Sequence, residues 1–342
     1  MSQSNQSPPD ERPPLDEEYV VAELAVQQPA AVGGVSEPLR AELLESPRIR
    51  RRRKLPLILF LLTCASTCFA GATGWVPLLY YLGEGMLPLR RAILVHWQDG
   101  LVYMVCVLGI LLTHEMGHFM ATVKYRIPAS FPFFLPLPLI SPFGTLGAVI
   151  AMDGRQADRR QTFDIGLAGP LAGLLVTVPM LWIGIKQLDP NVTPYGYHLF
   201  QAPLAIRLIL GYAAPAGYQA SSQIMLSQLN PYLMAGCVGL LITGLNMLPV
   251  SQLDGGHVIH TLFGRRGRWI SRGVILLGLG HVVWYAVHQQ LSMLTLMVVI
   301  LLLIGPDHPP TRDDSVPLGW FRTVLGWLCL LIPVFCFPPD FL

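Results

Sequence analysis

Charge is what this sequence has least of. Only 13% of its 342 residues are Asp, Glu, Lys or Arg, against about a quarter in an ordinary soluble domain, and 52% are hydrophobic. So little polar surface excludes a water-soluble protein. The net charge of +2 excludes a broad basic face, and with it nucleic acid as a partner. Cysteine chemistry is missing as well. The six cysteines (Cys64, Cys68, Cys106, Cys237, Cys329 and Cys336) sit in apolar segments without a CxxC pair or a disulfide framework, so they serve as small hydrophobes. No polar and apolar residues alternate as a transmembrane barrel requires. What is present is a set of long apolar runs, several near the roughly 20 residues that cross a bilayer, in a chain of mean hydropathy +0.50. The expectation is an all-α polytopic protein embedded in a lipid bilayer.

Residues 1–47 are rich in Pro, Ser, Gln and Glu and nearly free of aromatics, the composition of a disordered tail, here cytoplasmic. Residues 48–100 read as a basic flank, a signal-anchor helix and an interfacial or re-entrant segment. The flank, Arg48 to Lys54, holds its end in the cytoplasm, and the helix covers 55–72. Residues 75–98 carry Glu84, Arg90, Arg91 and His96 and suit the interface better than the bilayer interior. Further spans are expected at 101–121, 163–185, 232–250, 273–288, 291–305 and 318–337. The total is about six to seven, with 263–342 forming C-terminal transmembrane helices.

Residues 127–152 are apolar but interrupted by Pro128, Pro132, Pro136, Pro138 and Pro142. Proline excludes a regular helix, and irregular backbone cannot face lipid, so this piece lies against protein or lines a cavity. Its end, Gly144 to Ala151, reads as a short strand, giving a small membrane-associated β or re-entrant region.

The run "LLTHEMGHFM" (111–120) places His114, Glu115 and His118 inside an apolar span. On a helix, positions i and i+4 share a face, so both imidazoles can reach one ion with the glutamate beside it. This is the HExxH arrangement of zinc enzymes in which Glu is the general base. Two histidines leave such a centre incomplete, because catalytic zinc has three protein ligands. An ionised group at the centre of a membrane helix costs about 2.5–3.5 kcal/mol, and a metal offsets that cost.

A second motif, "NMLPVSQLDGG" (246–256), closes the span at 232–250. The threading puts it at the same side as the first, so Asp254 is placed to be the third ligand. The same residues also suit an ordinary turn, as LDGG is favourable turn chemistry. His257 and His260 are read as solvated loop residues or as neighbours of the ligands. His96, His198, His281, His288 and His308 carry no motif. "LAGPLAG" (167–173) permits close helix packing.

HExxH in one membrane helix and NxxPxxxLDGG in a later one resemble the site-2 proteases, intramembrane zinc metalloproteases. The resemblance covers about residues 100–262, so 101–262 is expected as the catalytic membrane core. It implies one Zn²⁺ per chain on His114, His118 and Asp254, Glu115 as the base that activates water, and Asn246 as a residue positioning the substrate or the developing oxyanion. It also implies a transmembrane protein substrate that pairs as a strand near Gly144 to Ala151. Ser251 departs from the family, where many relatives have a second proline. The 45 or so residues after the third span are too few for the PDZ domain of some relatives, so the chain resembles a compact subgroup with plastid and cyanobacterial members. The expected location is a bacterial cytoplasmic membrane. The alternatives are a non-catalytic metal-binding membrane protein or a transporter.

Overall fold

The computed structural model describes residues 54–75, 86–138, 141–189, 191–192, 199–213, 215, 217–218, 224–250, 252–288, 295–305 and 307–338. The expected tail at 1–47, most of the basic flank, Glu84, His198 and Ser251 lie outside them. The described chain is mostly helical. Its helices are α1 (Lys54–Ala72), α2 (Met86–Tyr125), α3 (Arg159–Lys186), α4 (Leu204–Ala213), α5 (Pro231–Asn246), α6 (Asp254–Phe263), α7 (Gly267–Val287), α8 (Thr295–Ile304), α9 (Trp320–Cys329) and α10 (Ile332–Cys336). The strands are β1 (Phe133–Pro136), β2 (Thr145–Val149), β3 (Leu199–Phe200) and β4 (Ile224–Met225), short pieces in a mostly helical chain.

Among the described residues, four stretches are helical, long and apolar enough to cross a membrane: α1, Leu89–Tyr125, α3, and Asp254–Val287, which takes in α6 and α7. Leu204–Ala213, Pro231–Asn246 and Trp320–Cys336 are apolar but shorter. The span expected at 232–250 is thus the 16-residue α5. It stops at Asn246 because Pro249, close behind, bars helical continuation. Of the interfacial or re-entrant segment expected at 75–98, residues 76–85 lie outside the described residues. From Met86 the chain is helical up to a kink of non-helical backbone at His96, beyond which the helix of the next span runs on to Tyr125. Arg90 and Arg91 lie on the short helical stretch before that kink.

Three helices build the interior. On α2 a stripe of Tyr103, Val107, Ile110 and Leu111 is almost fully buried, and His114 and His118 continue it at helical spacing. The facing stripe of α3 is made of small residues. Asp158 starts this helix with a capping box, its side chain accepting from Gln161 N–H while Gln161 accepts from Asp158 N–H. A Cβ added at Gly184 would stand 2.4 Å from Leu233 N, and one at Gly236 would stand 2.5 Å from Leu181, so α3 and α5 pack at backbone distance.

The proline-rich stretch lies against protein, as its sequence requires. β1 and β2 pair antiparallel, Phe133 opposite Val149 and Leu135 opposite Gly147, with an irregularity at Leu135/Pro136 where proline cannot donate. The hairpin packs on α1. Phe60 and Phe134 meet edge to face at 5.1 Å between ring centres, and the Ser66 hydroxyl donates to the Gly144 carbonyl. A second small sheet, β3 with β4, was not foreseen.

Candidate metal centre

His114 and His118 come from α2 and Asp254 from the first residue of α6. The LDGG motif is therefore a helix start rather than a turn. Gly255 makes this start possible, since a Cβ there would be 2.1 Å from the Met247 carbonyl oxygen. The donor atoms converge: His114 Nε2 to His118 Nε2 is 3.2 Å, His114 Nε2 to Asp254 Oδ2 is 3.3 Å and His118 Nε2 to Asp254 Oδ1 is 3.3 Å. Donors held about 2.0–2.1 Å from a tetrahedral zinc stand about 3.3 Å from one another. Among the described residues this is the group of His, Cys, Asp and Glu whose donors close on one point.

Chemistry agrees with the spacing. Asp254 Oδ2 is buried without a hydrogen-bond partner, and such an orphan calls for a cation. His118 Nδ1 lies 2.8 Å from the Ile165 carbonyl oxygen and donates to it, which leaves the Nε2 lone pair pointing at the shared centre. The donor set of two imidazoles and a carboxylate suits zinc. Glu115 is buried, with 4% of its surface exposed, and interacts electrostatically with His114, His118 and Asp254. The Asn246 side-chain nitrogen stands 3.3 Å from His114 Nε2, a donor at the rim of the same space. Three elements, α2, α5 and α6, thus bring the five sequence-selected residues together. α2 runs past the expected end at residue 121 to Tyr125, so His114 lies eleven residues, about 16 Å, from the end of its helix.

Sequence reasoning missed the surface against which the histidines rest. A Cβ at Gly169 would fall 2.0 Å from His118 Nε2, and one at Gly173 would fall 3.1 Å from His114 Nδ1. Two glycines at i, i+4 on α3 face two histidines at i, i+4 on α2. The signal was the shared spacing, hidden because small residues in a membrane helix already have a packing explanation. His257 and His260 are not solvated loop residues. They lie in α6, His257 buried at 9% exposure, with Nδ1 at 2.6 Å from His308 Nε2.

Both motifs lie inside residues 102–284, the stretch that matches the description of peptidase family M50. The chain belongs to peptidase family M50. This is the site-2 protease family that the motifs resemble. The M50 chain is 31% identical over 317 residues to the probable zinc metalloprotease EGY1, chloroplastic, of Arabidopsis thaliana, which covers 88% of this chain and 56% of that protein. It is 31% identical over 305 residues to the rice (Oryza sativa subsp. japonica) protein of the same name, covering 84% and 51%. A probable zinc metalloprotease EGY3, chloroplastic, of Oryza sativa subsp. indica is 24% identical over 242 residues, covering 66% and 40%. The M50 chain spans about half the length of the curated relatives it matches. These relatives overturn the expected bacterial cytoplasmic membrane, since they are chloroplastic plant proteins. The physical reason for the error is that flanking basic residues report how spans are oriented, not which membrane holds them.

Proposed function

We propose that this M50 chain is an intramembrane zinc metalloprotease of a chloroplast membrane, hydrolysing peptide bonds in or near transmembrane segments of membrane-protein substrates. One observation carries the reading: His114, His118 and Asp254 put their donors 3.2–3.3 Å apart in an apolar interior with Glu115 buried beside them. Family membership and the relatives' printed activity support it. A zinc ion bound there polarises a peptide carbonyl and lowers the pKa of water.

The chain's own residues do the rest. His114 and His118 offer Nε2 and Asp254 its carboxylate. Glu115 accepts the proton of the attacking water and returns it to the leaving amine. Asn246 donates toward the charge that develops on the carbonyl oxygen. The small-residue face of α3 keeps both imidazoles from turning. Glu115 also separates this reading from a metal-binding protein or transporter, since a holding site has no use for a base.

The substrate must expose its carbonyl. A transmembrane helix has its backbone satisfied internally, so it has to unwind locally, and pairing as a strand with β2 restores the lost hydrogen bonds. Exposed Leu146 and Val149 on β2 fit that role. We take residues 101–262 as the catalytic core and the shorter apolar helices as further parts of a six- to seven-span body.

The test uses detergent-purified protein with a transmembrane model substrate. Wild type holds about one zinc and cleaves. Glu115→Gln keeps the metal and stops cleaving. Wild type without zinc, or cleavage that survives Glu115→Gln, overturns the mechanism.

A further inference from the structure

The carbonyl that orients His118 belongs to Ile165, and the residue beside it is held by a network that neither motif contains. Asp164, on α3, accepts two hydrogen bonds from the Arg322 guanidinium of α9, from Nε at 2.8 Å and from a terminal nitrogen at 2.9 Å. The hydroxyl of Tyr125, at the end of α2, donates to the same carboxylate. Two-pronged arginine–carboxylate pairing is charge-assisted and sets angle as well as distance.

The placement is specific. Tyr125 is seven residues after His118, so the two share a face of α2, and helical side chains lean back toward the N-terminus. Tyr125 reaches Asp164 while His118 reaches Ile165. Two adjacent residues of α3 are thereby tied to two same-face residues of α2. Rotation of α3 about its axis would swing the Ile165 carbonyl away from His118 Nδ1 and move Gly169 off the ring. Arg322 adds a third anchor from α9, which lies outside the matched stretch 102–284. The packing around α9 supports this, with Phe163, Leu167, Val258 and Cys329 in one buried cluster.

We propose that Asp164, clamped by Arg322 and Tyr125, is a positioning residue: it locks the face of α3 so that the Ile165 carbonyl fixes the His118 tautomer and aims Nε2 at the metal. It touches neither metal nor substrate. The inference rests on the zinc reading above.

The test compares wild type, His118→Ala, Asp164→Ala, Tyr125→Phe and Arg322→Lys in detergent. It measures zinc affinity by chelator competition and the ligand-field spectrum of the Co²⁺-substituted protein. Groups that hydrogen-bond a metal ligand typically contribute 10–100-fold to metal affinity, and Asp164 acts through one of them, the Ile165 carbonyl. Asp164→Ala should weaken zinc about tenfold or more and change the Co²⁺ spectrum. Tyr125→Phe and Arg322→Lys should give smaller losses in the same direction, and adding Tyr125→Phe to Asp164→Ala should cost little more. A merely structural clamp would lower the unfolding temperature and leave the spectrum and affinity of the folded protein as in wild type, which would overturn the proposal. If Asp164→Ala does not fold, unchanged affinity and spectrum in both conservative variants overturn it equally. Loss of zinc in His118→Ala without a change in the clamp variants sinks this inference alone. Absence of zinc from wild type sinks the metal reading and this inference with it.

Discussion

Two clusters in this molecule each pair histidines with an aspartate, and the two are built for different ends. In the first, His114 and His118 turn Nε2 toward one point and Asp254 completes it, with separations of 3.2–3.3 Å. In the second, His257 and His308 satisfy each other. His308 Nδ1 donates to the Pro309 carbonyl at 2.6 Å, so its Nε2 is the acceptor for His257 Nδ1–H. His260 stacks on His308 with ring centres 4.2 Å apart and planes 7° from parallel, and its aspartate, Asp314, is 57% exposed. Residue types and proximity are alike. The direction of the lone pairs decides which cluster can receive an ion.

The second cluster instead fastens a strap. Residues 307–315 lie across α6 and the start of α3: Arg312 N–H donates to the Ala157 carbonyl at 2.8 Å and Arg159 N–H to the Asp313 carbonyl at 3.1 Å. The imidazoles act there as hydrogen-bonding and stacking surfaces.

The contrast breaks most sharply under substitution of one histidine from each cluster. His118→Ala should take bound zinc from about one per chain to near none and abolish cleavage, whereas His308→Ala should leave the zinc content of the purified protein as in wild type. Equal losses would mean that the clusters form one site. Next in size is Gly169→Ala. Its methyl group would meet His118 Nε2 at 2.0 Å, and an overpacked interior costs about 1–3 kcal/mol, so chelator competition should show zinc held some tenfold or more less tightly. Ala at Gly280, whose added Cβ meets nothing within 4 Å, is the matched control and should change nothing.

The smallest effect is one of pH. Burial, and then the charges of His257 and His260, hold His308 well below its ordinary 6.5, at about 3. A group with a lowered folded pKa gives stability that is complete above the unfolded value and lost as pH falls toward the folded one. The strap should therefore be fully docked above about pH 6.5 and loosen progressively toward pH 3. Amide hydrogen exchange of 307–315, corrected for intrinsic rate, should quicken between about pH 7.5 and 5.5 in wild type and lose that dependence in His308→Ala.

The centre was legible because its residues contradict their surroundings. An acid and two imidazoles in an apolar helix, and an aspartate just past another apolar run, have no packing reason to be there. Prolines in 127–152 likewise announced irregular backbone. Other parts were hidden for equally physical reasons. Gly169 and Gly173 look like ordinary small-residue packing, and the Asp164–Arg322 pair joins residues 158 positions apart that carry no pattern. Strand β1 contains Pro136, which argues against a strand except where the ladder is already irregular.

The glycine face of α3 has a consequence for heredity. A codon for glycine becomes one for alanine by a single base change, and at position 169 that change adds a methyl group where a ligand nitrogen already lies. Such an allele would retain every letter of both motifs and still encode a crippled enzyme. A genome read for HExxH and LDGG alone would count it among the living.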